Sequence, residues 1–480
     1  THERRSRVRG KVVAWVLAPT LVVGVAGYAA ADAADLVPVI LTSSPLPSPQ
    51  PPLLTASPVA VASPSPGPVG LVNAEAPVPA ADAVQALAEQ LRADKRTGKS
   101  TTVLVVDYLT GQELASVDGD DPQVPASTTK LLTAVAALQG LGPDYRFTTS
   151  VVRSGSDLTL VAGGDLMLTE GKGHGGSQLD EEGYMLPNGY AGIADLGEQI
   201  ASAMPVGPVS LAVDTTDFPG PSYPESWPAY ALSMGYAGRV EGIAINIGKK
   251  NGVDVGEYGA RDKEPAQRAL NALAKDLTKR GFEVTVRGKR AAASGSEEVA
   301  SVVSAPLSDV VTEFLHYSDN TVSEQTARVL GLELGGAATP QVAAEVTTEV
   351  LKDMGVSVEG LVLYDGAGYS DRNRISPRTI VDAMVRSPQF DNTSQVLTSM
   401  PLGGLEGTVG KRFAGLPAAG FLRAKTGSLT GVTALAGVVT TADGRQVAFA
   451  TLLDGMPPGQ PRPMAAVDEF VNGLAQCGCG

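Results

Sequence analysis

Three short groupings in this 480-residue chain combine residue types that can act together on an acyl group. Ser127-Thr-Thr-Lys130 is its only Ser-x-x-Lys, Ser318-Asp-Asn320 its only Ser-x-Asn, and Lys425-Thr-Gly427, followed by Ser428, its only Lys-Thr-Gly. A serine hydroxyl is a poor nucleophile until a base removes its proton. Residues i and i+3 of a helix share a face, so a helix starting at Ser127 puts Lys130 one turn along, within reach of that proton. A lysine is ordinarily protonated at neutral pH, but burial or a second cation lowers its pKa and frees it as a base. Lys425 is the candidate second cation. Ser318 can relay a proton to a leaving amine, and Asn320 can hold both Lys130 and a substrate carbonyl. Thr426 and Ser428 can donate hydrogen bonds to a substrate carboxylate, and Gly427 lets a substrate backbone lie close. The backbone N–H groups of Ser127 and Ser428 can form an oxyanion hole. Each grouping alone also has an ordinary structural reading: an N-cap serine with a solvated lysine, a polar helix start, a strand end. Their joint occurrence is what points to chemistry.

Those roles need elements to hold them. Leu131, Leu132, Val135 and Leu138 share one side of a helix predicted from Thr128 to Leu138. Strands are predicted over Thr101–Asp107 and Glu113–Val117, and again over 420–425, 433–440 and 446–453, the last two joined by a hairpin signal at Ala442-Asp-Gly444. Helices are predicted at 82–95 and 464–474. Residues 146–300 have a different texture. Short strands are predicted at Val151, 158–162, 209–213 and 283–286, with a helix near 265–280 and loops such as Phe218-Pro-Gly-Pro-Ser-Tyr-Pro224. We therefore expect a domain of residues 81–145 plus 301–476, with 146–300 inserted in it.

At the start, Arg4, Arg5, Arg7, Arg9 and Lys11 precede an uncharged apolar run from Val12 to Ala31, about the length that spans a bilayer. Residues 1–35 read as a cleaved signal peptide or an uncleaved signal anchor, with the anchor favoured by the length of the run. Either places the rest of the chain outside the membrane. Residues 36–80, crowded with Pro, Ser, Ala and Val, read as a linker. A formal charge of −14 and a pI near 4.8 repel phosphates and argue against nucleic acid as a partner. Three scattered histidines without His-Glu-x-x-His argue against a zinc hydrolase, so no metal and no cofactor is expected. Gly98-Lys-Ser100 lacks the first glycine of a P-loop, and no Gly-x-Ser-x-Gly is present. Cys477 and Cys479, the only cysteines, read as part of an unstructured tail. Trp227 is assigned to packing, and Arg372 and Arg374 to a solvated loop.

The three motifs occur in the order found in serine penicillin-binding proteins and class A β-lactamases. The chain resembles one family in particular from about residue 82 to 455: the D-alanyl-D-alanine carboxypeptidase/endopeptidases, or class C low-molecular-mass penicillin-binding proteins. Further matching segments are Val161-Ala-Gly-Gly-Asp165 (with Leu166 where the family usually has Pro), Asp365-Gly-Ala-Gly-Tyr-Ser370, Asn373-Arg-Ile-Ser376 and Gly407-Thr-Val-Gly-Lys-Arg-Phe413. The gap of 318 − 127 = 191 residues between the first two motifs is far longer than in class A β-lactamases and matches a family with domains inserted there. The resemblance implies an α/β transpeptidase-like fold, an antiparallel sheet flanked by helices, with an inserted, strand-rich domain. It implies that Ser127 attacks the carbonyl between two D-alanines of a peptidoglycan stem peptide, with Lys130 as base and Ser318 passing the proton. Asn320, Lys425, Thr426, Gly427 and Ser428 would complete the site, and β-lactams would trap Ser127. Two other readings stay open: a β-lactamase, for which no deacylating carboxylate stands at a recognisable position, and a cell-wall scaffold of the same fold.

Overall fold

The computed structural model of the chain describes residues 73–250, 258–456 and 462–478. The apolar run at 12–31 and nearly all of the linker segment lie outside them. Among the described residues no helix is long and apolar enough to cross a membrane.

The first sheet explains why both ends of the chain carry strands. Its order is β2 (Glu113–Val117), β1 (Ser100–Asp107), β10 (Gln446–Asp454), β9 (Val432–Thr440), β8 (Leu422–Leu429), antiparallel throughout. Strand alternation sends Leu104 and Val106 to one face and Val103 and Val105 to the other, and both faces are buried. A strand covered on both sides reads as a continuous apolar run, as Thr101–Asp107 does. Helices α1 (Ala81–Ala93) and α9 (Met464–Gln476) cover one face through Val84, Leu91, Val467 and Phe470. The other face meets α2 (Thr129–Leu141) and α8 (Pro377–Arg386), with α5 (Leu307–Tyr317), α6 (Asn320–Gly335) and α7 (Pro340–Asp353) behind them. Burying two helix layers on one sheet makes α2 a core helix, with Thr129 through Leu138 all buried.

The second sheet has the order β6 (Glu283–Lys289), β5 (Pro208–Asp214), β4 (Asp157–Val161), β3 (Thr148–Ser154), β7 (Glu297–Val303). Its β4–β5 and β5–β6 pairs are parallel, and the pairs with β3 are antiparallel. Parallel neighbours need crossovers. The helices α3 (Ile193–Ala203) and α4 (Pro265–Lys279) supply them and pack on each other. Gly197 lets them meet: a Cβ there would stand 1.9 Å from Asp276 Oδ2. This region is therefore rich in strands, as expected, and its two crossover helices make it mixed α/β.

One expectation fails at the C-terminus. Helix α9 continues to Gln476, and the Cys477 N–H bonds to Leu474 O at 3.2 Å. Cys477 is consequently buried in the core beneath that helix, not part of an unstructured tail. Cys479 lies outside the described residues.

Candidate active site

Ser127 sits in a one-turn 3-10 segment, Ala126–Thr128, that leads into α2. Ala126 before it has a left-handed backbone (φ 48), a conformation that costs a non-glycine residue about 1 kcal/mol or more and clusters at functional sites. The turn puts Lys130 Nζ 2.9 Å from Ser127 Oγ. Lys130 is fully buried, and its Nζ also lies 2.7 Å from Asn320 Oδ1 and 2.7 Å from the Ala367 carbonyl oxygen. Both of those atoms only accept hydrogen bonds. A neutral amine has two protons and one lone pair, so donating to Asn320 and Ala367 leaves the lone pair facing the Ser127 hydroxyl. Burial pushes the Lys130 ammonium down to about 7, against the pull of the Asp365 and Asp319 carboxylates.

The second motif forms the corner between α5 and α6. Ser318 ends α5 in the left-handed region (φ 60), and Asp319 caps α6 by accepting from the N–H groups of Thr321 and Val322 at 2.8 and 3.1 Å. Burial alone would raise the Asp319 pKa, but the Arg261 guanidinium, Lys249 and those two N–H groups hold it below the ordinary value. Arg261 reaches Asp319 at 3.3 Å. This corner aims Ser318 and Asn320 in different directions. Ser318 Oγ lies 2.9 Å from Lys425 Nζ, while the Asn320 Nδ2 donates to Tyr236 O at 2.9 Å and so turns its Oδ1 to Lys130.

The Ala367 carbonyl is held by the turn 365–370. Asp365 accepts from the N–H groups of Ala367, Gly368, Tyr369 and Ser370, at 2.5–3.2 Å, and from Trp227 Nε1 at 2.8 Å. Glu324 on α6 accepts from Gly366 N, and Thr133 on α2 and Ser323 on α6 donate to Gly366 O. Gly368 (φ 74) has no room for a side chain, since a Cβ would stand 1.8 Å from Ala126 O.

The third motif lies within β8, an edge strand of the first sheet. Lys425 is fully buried, and burial together with the charge of Lys130 pushes its pKa well below the usual lysine value. Thr426 Oγ1 lies 3.0 Å from Thr408 Oγ1, and Ser428 is exposed on the strand. Gly427 is where β8 passes the Ser127 turn: a Cβ would stand 2.8 Å from Pro125 O and 3.2 Å from Ala126 Cβ. Gly427→Ala is therefore expected to push the Ser127 turn off the strand and slow acylation by benzylpenicillin on the order of 10²-fold, the scale of an ångström-level misplacement. Stopped-flow or mass-resolved acylation rates check this.

The structure thus gathers Ser127, Lys130, Ser318, Asn320, Lys425, Thr426 and Gly427 around one point, with Ser428 next on the same strand. Sequence reasoning missed the Ala367 and Tyr236 carbonyls and Arg261, and it quoted the 365–370 and 407–413 segments only as matching the family, without the roles of the Asp365 turn or Thr408. The pair Gly366 and Gly368 was the available signal for the turn. Trp227 is buried in an edge-to-face aromatic cluster with Tyr223 and Tyr369, as its packing assignment requires. Arg372 stacks over Tyr364, and Arg374 bonds to loop carbonyls. Among the described residues no three His, Cys, Asp or Glu side chains gather closely enough to hold a metal ion.

Known proteins share this arrangement of chain. A carboxypeptidase of Mycobacterium tuberculosis is 32% identical over 91% of this chain and 90% of its own length. The carboxypeptidase DacB of Mycolicibacterium smegmatis is 31% identical, covering 100% of this chain and 99% of its own. The crystal structure of penicillin binding protein 4 from Haemophilus influenzae superposes with a TM-score of 0.67 at 20% identity, over 82% of this chain and 98% of that one, which establishes the penicillin-binding fold. The model of one peptidase family matches residues 83–256 and 255–476, nearly everything described here. The chain belongs to the D-Ala-D-Ala carboxypeptidase 3 (S13) family.

Proposed function

We propose that this family activity proceeds through an acyl-enzyme on Ser127, formed from peptidoglycan stem peptides that end in D-alanyl-D-alanine. The observation that carries the reading is the three-way environment of Lys130 Nζ: two fixed acceptors and the Ser127 hydroxyl at 2.9 Å. Lys130 takes the hydroxyl proton as Oγ bonds to the carbonyl carbon. The C–N bond to the terminal D-alanine then breaks as Ser318, 2.9 Å from Lys425 Nζ, gives its proton to the leaving nitrogen and receives the one that Lys130 took from Ser127. Neutral again, Lys130 takes a proton from the water that attacks the ester, and returns it to Ser127 Oγ as the ester C–O bond breaks. General acid–base help of this kind is worth about 10²–10⁴-fold. The substrate carboxylate falls to Lys425, Thr426 and Ser428. Its negative charge favours a charged Lys425, which in turn favours a neutral Lys130. Among the described residues, edge strand β8 is paired on its outer side only by the 401–403 segment, over 422–424, and its second half offers the substrate backbone an edge to pair with.

Nothing favours the β-lactamase reading. The two carboxylates that act on Lys130 are already committed, Asp365 to its turn and Trp227, Asp319 to its helix cap and Arg261. Neither is free to activate a deacylating water. By the same reading, the apolar run Val12–Ala31 would keep the enzyme at the outer face of the membrane, with 36–80 as spacer between it and a peptidase domain of 81–145 plus 301–476. Two assays test the proposal: intact mass after mixing with benzylpenicillin, and D-alanine release from a D-alanyl-D-alanine peptide. A lasting one-to-one adduct on Ser127 with D-alanine release is expected. A fleeting adduct with penicillin consumed would turn the assignment to β-lactamase, and a folded protein with neither adduct nor release would leave the scaffold reading.

A further inference from the structure

The connection between β4 and α3 sends a short hairpin, bridged between Leu179 and Met185, to the back of the site. Asp180 braces its tip by accepting from the N–H groups of Glu182 and Tyr184 at 3.0 and 2.8 Å. Three side chains of the tip then grip two segments beside the first sheet, the end of α5 and the turn at 406–407. Asp180 Oδ2 accepts from Tyr317 OH at 3.3 Å. Tyr184 lays its ring edge-to-face on His316, with centroids 4.8 Å apart, and donates to Glu406 at 3.0 Å. Glu406 in turn holds Leu402 N at 2.8 Å and Arg423, two residues before Lys425, at 3.4 Å.

Glu182 has the central position. One carboxylate oxygen lies 3.0 Å from His316 Nδ1, and the other accepts from Gly407 N at 2.8 Å. These two partners touch each other: Gly407 is left-handed (φ 46), and a Cβ there would stand 2.7 Å from His316 O. His316 lies two residues before Ser318, and Gly407 lies one before Thr408, whose hydroxyl meets Thr426. A single carboxylate thus pins the end of α5 that carries Ser318 to the turn that supports Thr426, without reaching the reacting atoms. Burial pushes the His316 pKa below its ordinary value, so the ring is neutral and its Nδ1–H donates to Glu182. A hairpin that only filled space would need none of these polar pairings.

We propose that Glu182 is a positioning residue for Ser318: by locking His316 against Gly407 it holds the Ser318 hydroxyl where it can protonate the leaving amine. The inference rests on the acyl-enzyme reading above. It has a consequence that mere structural support does not. An amine leaves only when protonated, whereas a thiolate, the conjugate base of a much stronger acid, leaves without a proton. A misplaced Ser318 should therefore slow cleavage of the amide far more than cleavage of a matching thiolester.

The test compares kcat/KM for a D-alanyl-D-alanine peptide and for its thiolester analogue. Glu182→Ala is expected to lose about 10-fold on the peptide and less than about threefold on the thiolester, within the range of general acid help. Glu182→Gln is expected to lose less than the alanine variant on the peptide and to stay within about threefold on the thiolester: its oxygen keeps Gly407 N–H, but its amide meets His316 Nδ1 only with the ring proton moved to the buried, unpartnered Nε2. Should the alanine variant not fold, Glu182→Met, which fills the space with neither hydrogen bond, carries the same expectation. Equal losses on the two substrates, or no loss in a folded variant, would overturn the role. A parent enzyme that benzylpenicillin does not acylate would instead sink the underlying reading, so the two failures are distinguishable.

Discussion

Replacing Ser127 by alanine is expected to abolish the benzylpenicillin adduct in an intact-mass experiment and to lower D-alanine release by a factor of about 10⁴ or more, the scale seen when a nucleophile is removed. The same protein is expected to unfold within about 3 °C of the parent, because the change removes one half-exposed hydroxyl and leaves no cavity. Lys130 keeps both of its carbonyl partners, at 2.7 Å each, so the buried amine is not orphaned. The Ala126 turn is shaped by Gly368 and Gly427 packed against it, and alanine at 127 disturbs neither. The two readouts together carry the argument. An adduct that persists in the folded variant would move the nucleophile to another residue. Loss of the adduct with a large drop in melting temperature would leave the assignment unsupported.

How much of this site could be read from the chain depends on how local each contact is. Ser127 and Lys130 are three residues apart on one helix, so their meeting follows from helix geometry alone. Lys425 and Ser318 are 107 residues apart, and only the motif order brought them together on paper. The Ala367 carbonyl was out of reach. It is a backbone atom, and its position depends on Asp365, which is fixed in part by Trp227, 138 residues away. Helix α6 was missed for a related reason. It is buried nearly all round, and Ser323, Glu324, Gln325, Thr326 and Arg328 are among its buried residues. No apolar period survives in such a helix, and its polar groups are instead satisfied by tertiary partners such as the Glu324–Arg328 pair at 2.8 Å. Helix α8, also not predicted, did carry a local signal: Ser376 caps it through Thr379 N and Pro377 fills its first position. The strands were easiest, because β1, β9 and β10 are buried on both faces and read as mostly apolar runs broken only by threonine, glycine and their polar ends.

The second large effect belongs to Lys130, and it separates two ways in which a buried lysine can help. If Lys130 works by accepting the Ser127 proton, its lone pair is essential, and a charge alone is no substitute. Arginine keeps a cation but stays protonated at any working pH, while methionine keeps most of the volume and has no charge. Lys130→Arg and Lys130→Met are therefore both expected to acylate with benzylpenicillin about 10³–10⁴-fold more slowly than the parent, near the upper end of general base catalysis. The parent itself supplies the pH signature. With burial holding Lys130 near 7, the acylation rate should rise about tenfold per pH unit up to about 7 and then level off, since only the neutral amine reacts. Neither variant should retain that acid limb. An arginine variant that acylates at close to the parent rate would show that Lys130 acts as a fixed charge and that the proton goes elsewhere, with Lys425, 2.9 Å from Ser318, the next candidate. A parent profile flat down to pH 5, with both variants slow, would instead mean that the folded site keeps Lys130 neutral more strongly than burial against the pull of Asp365 and Asp319 accounts for.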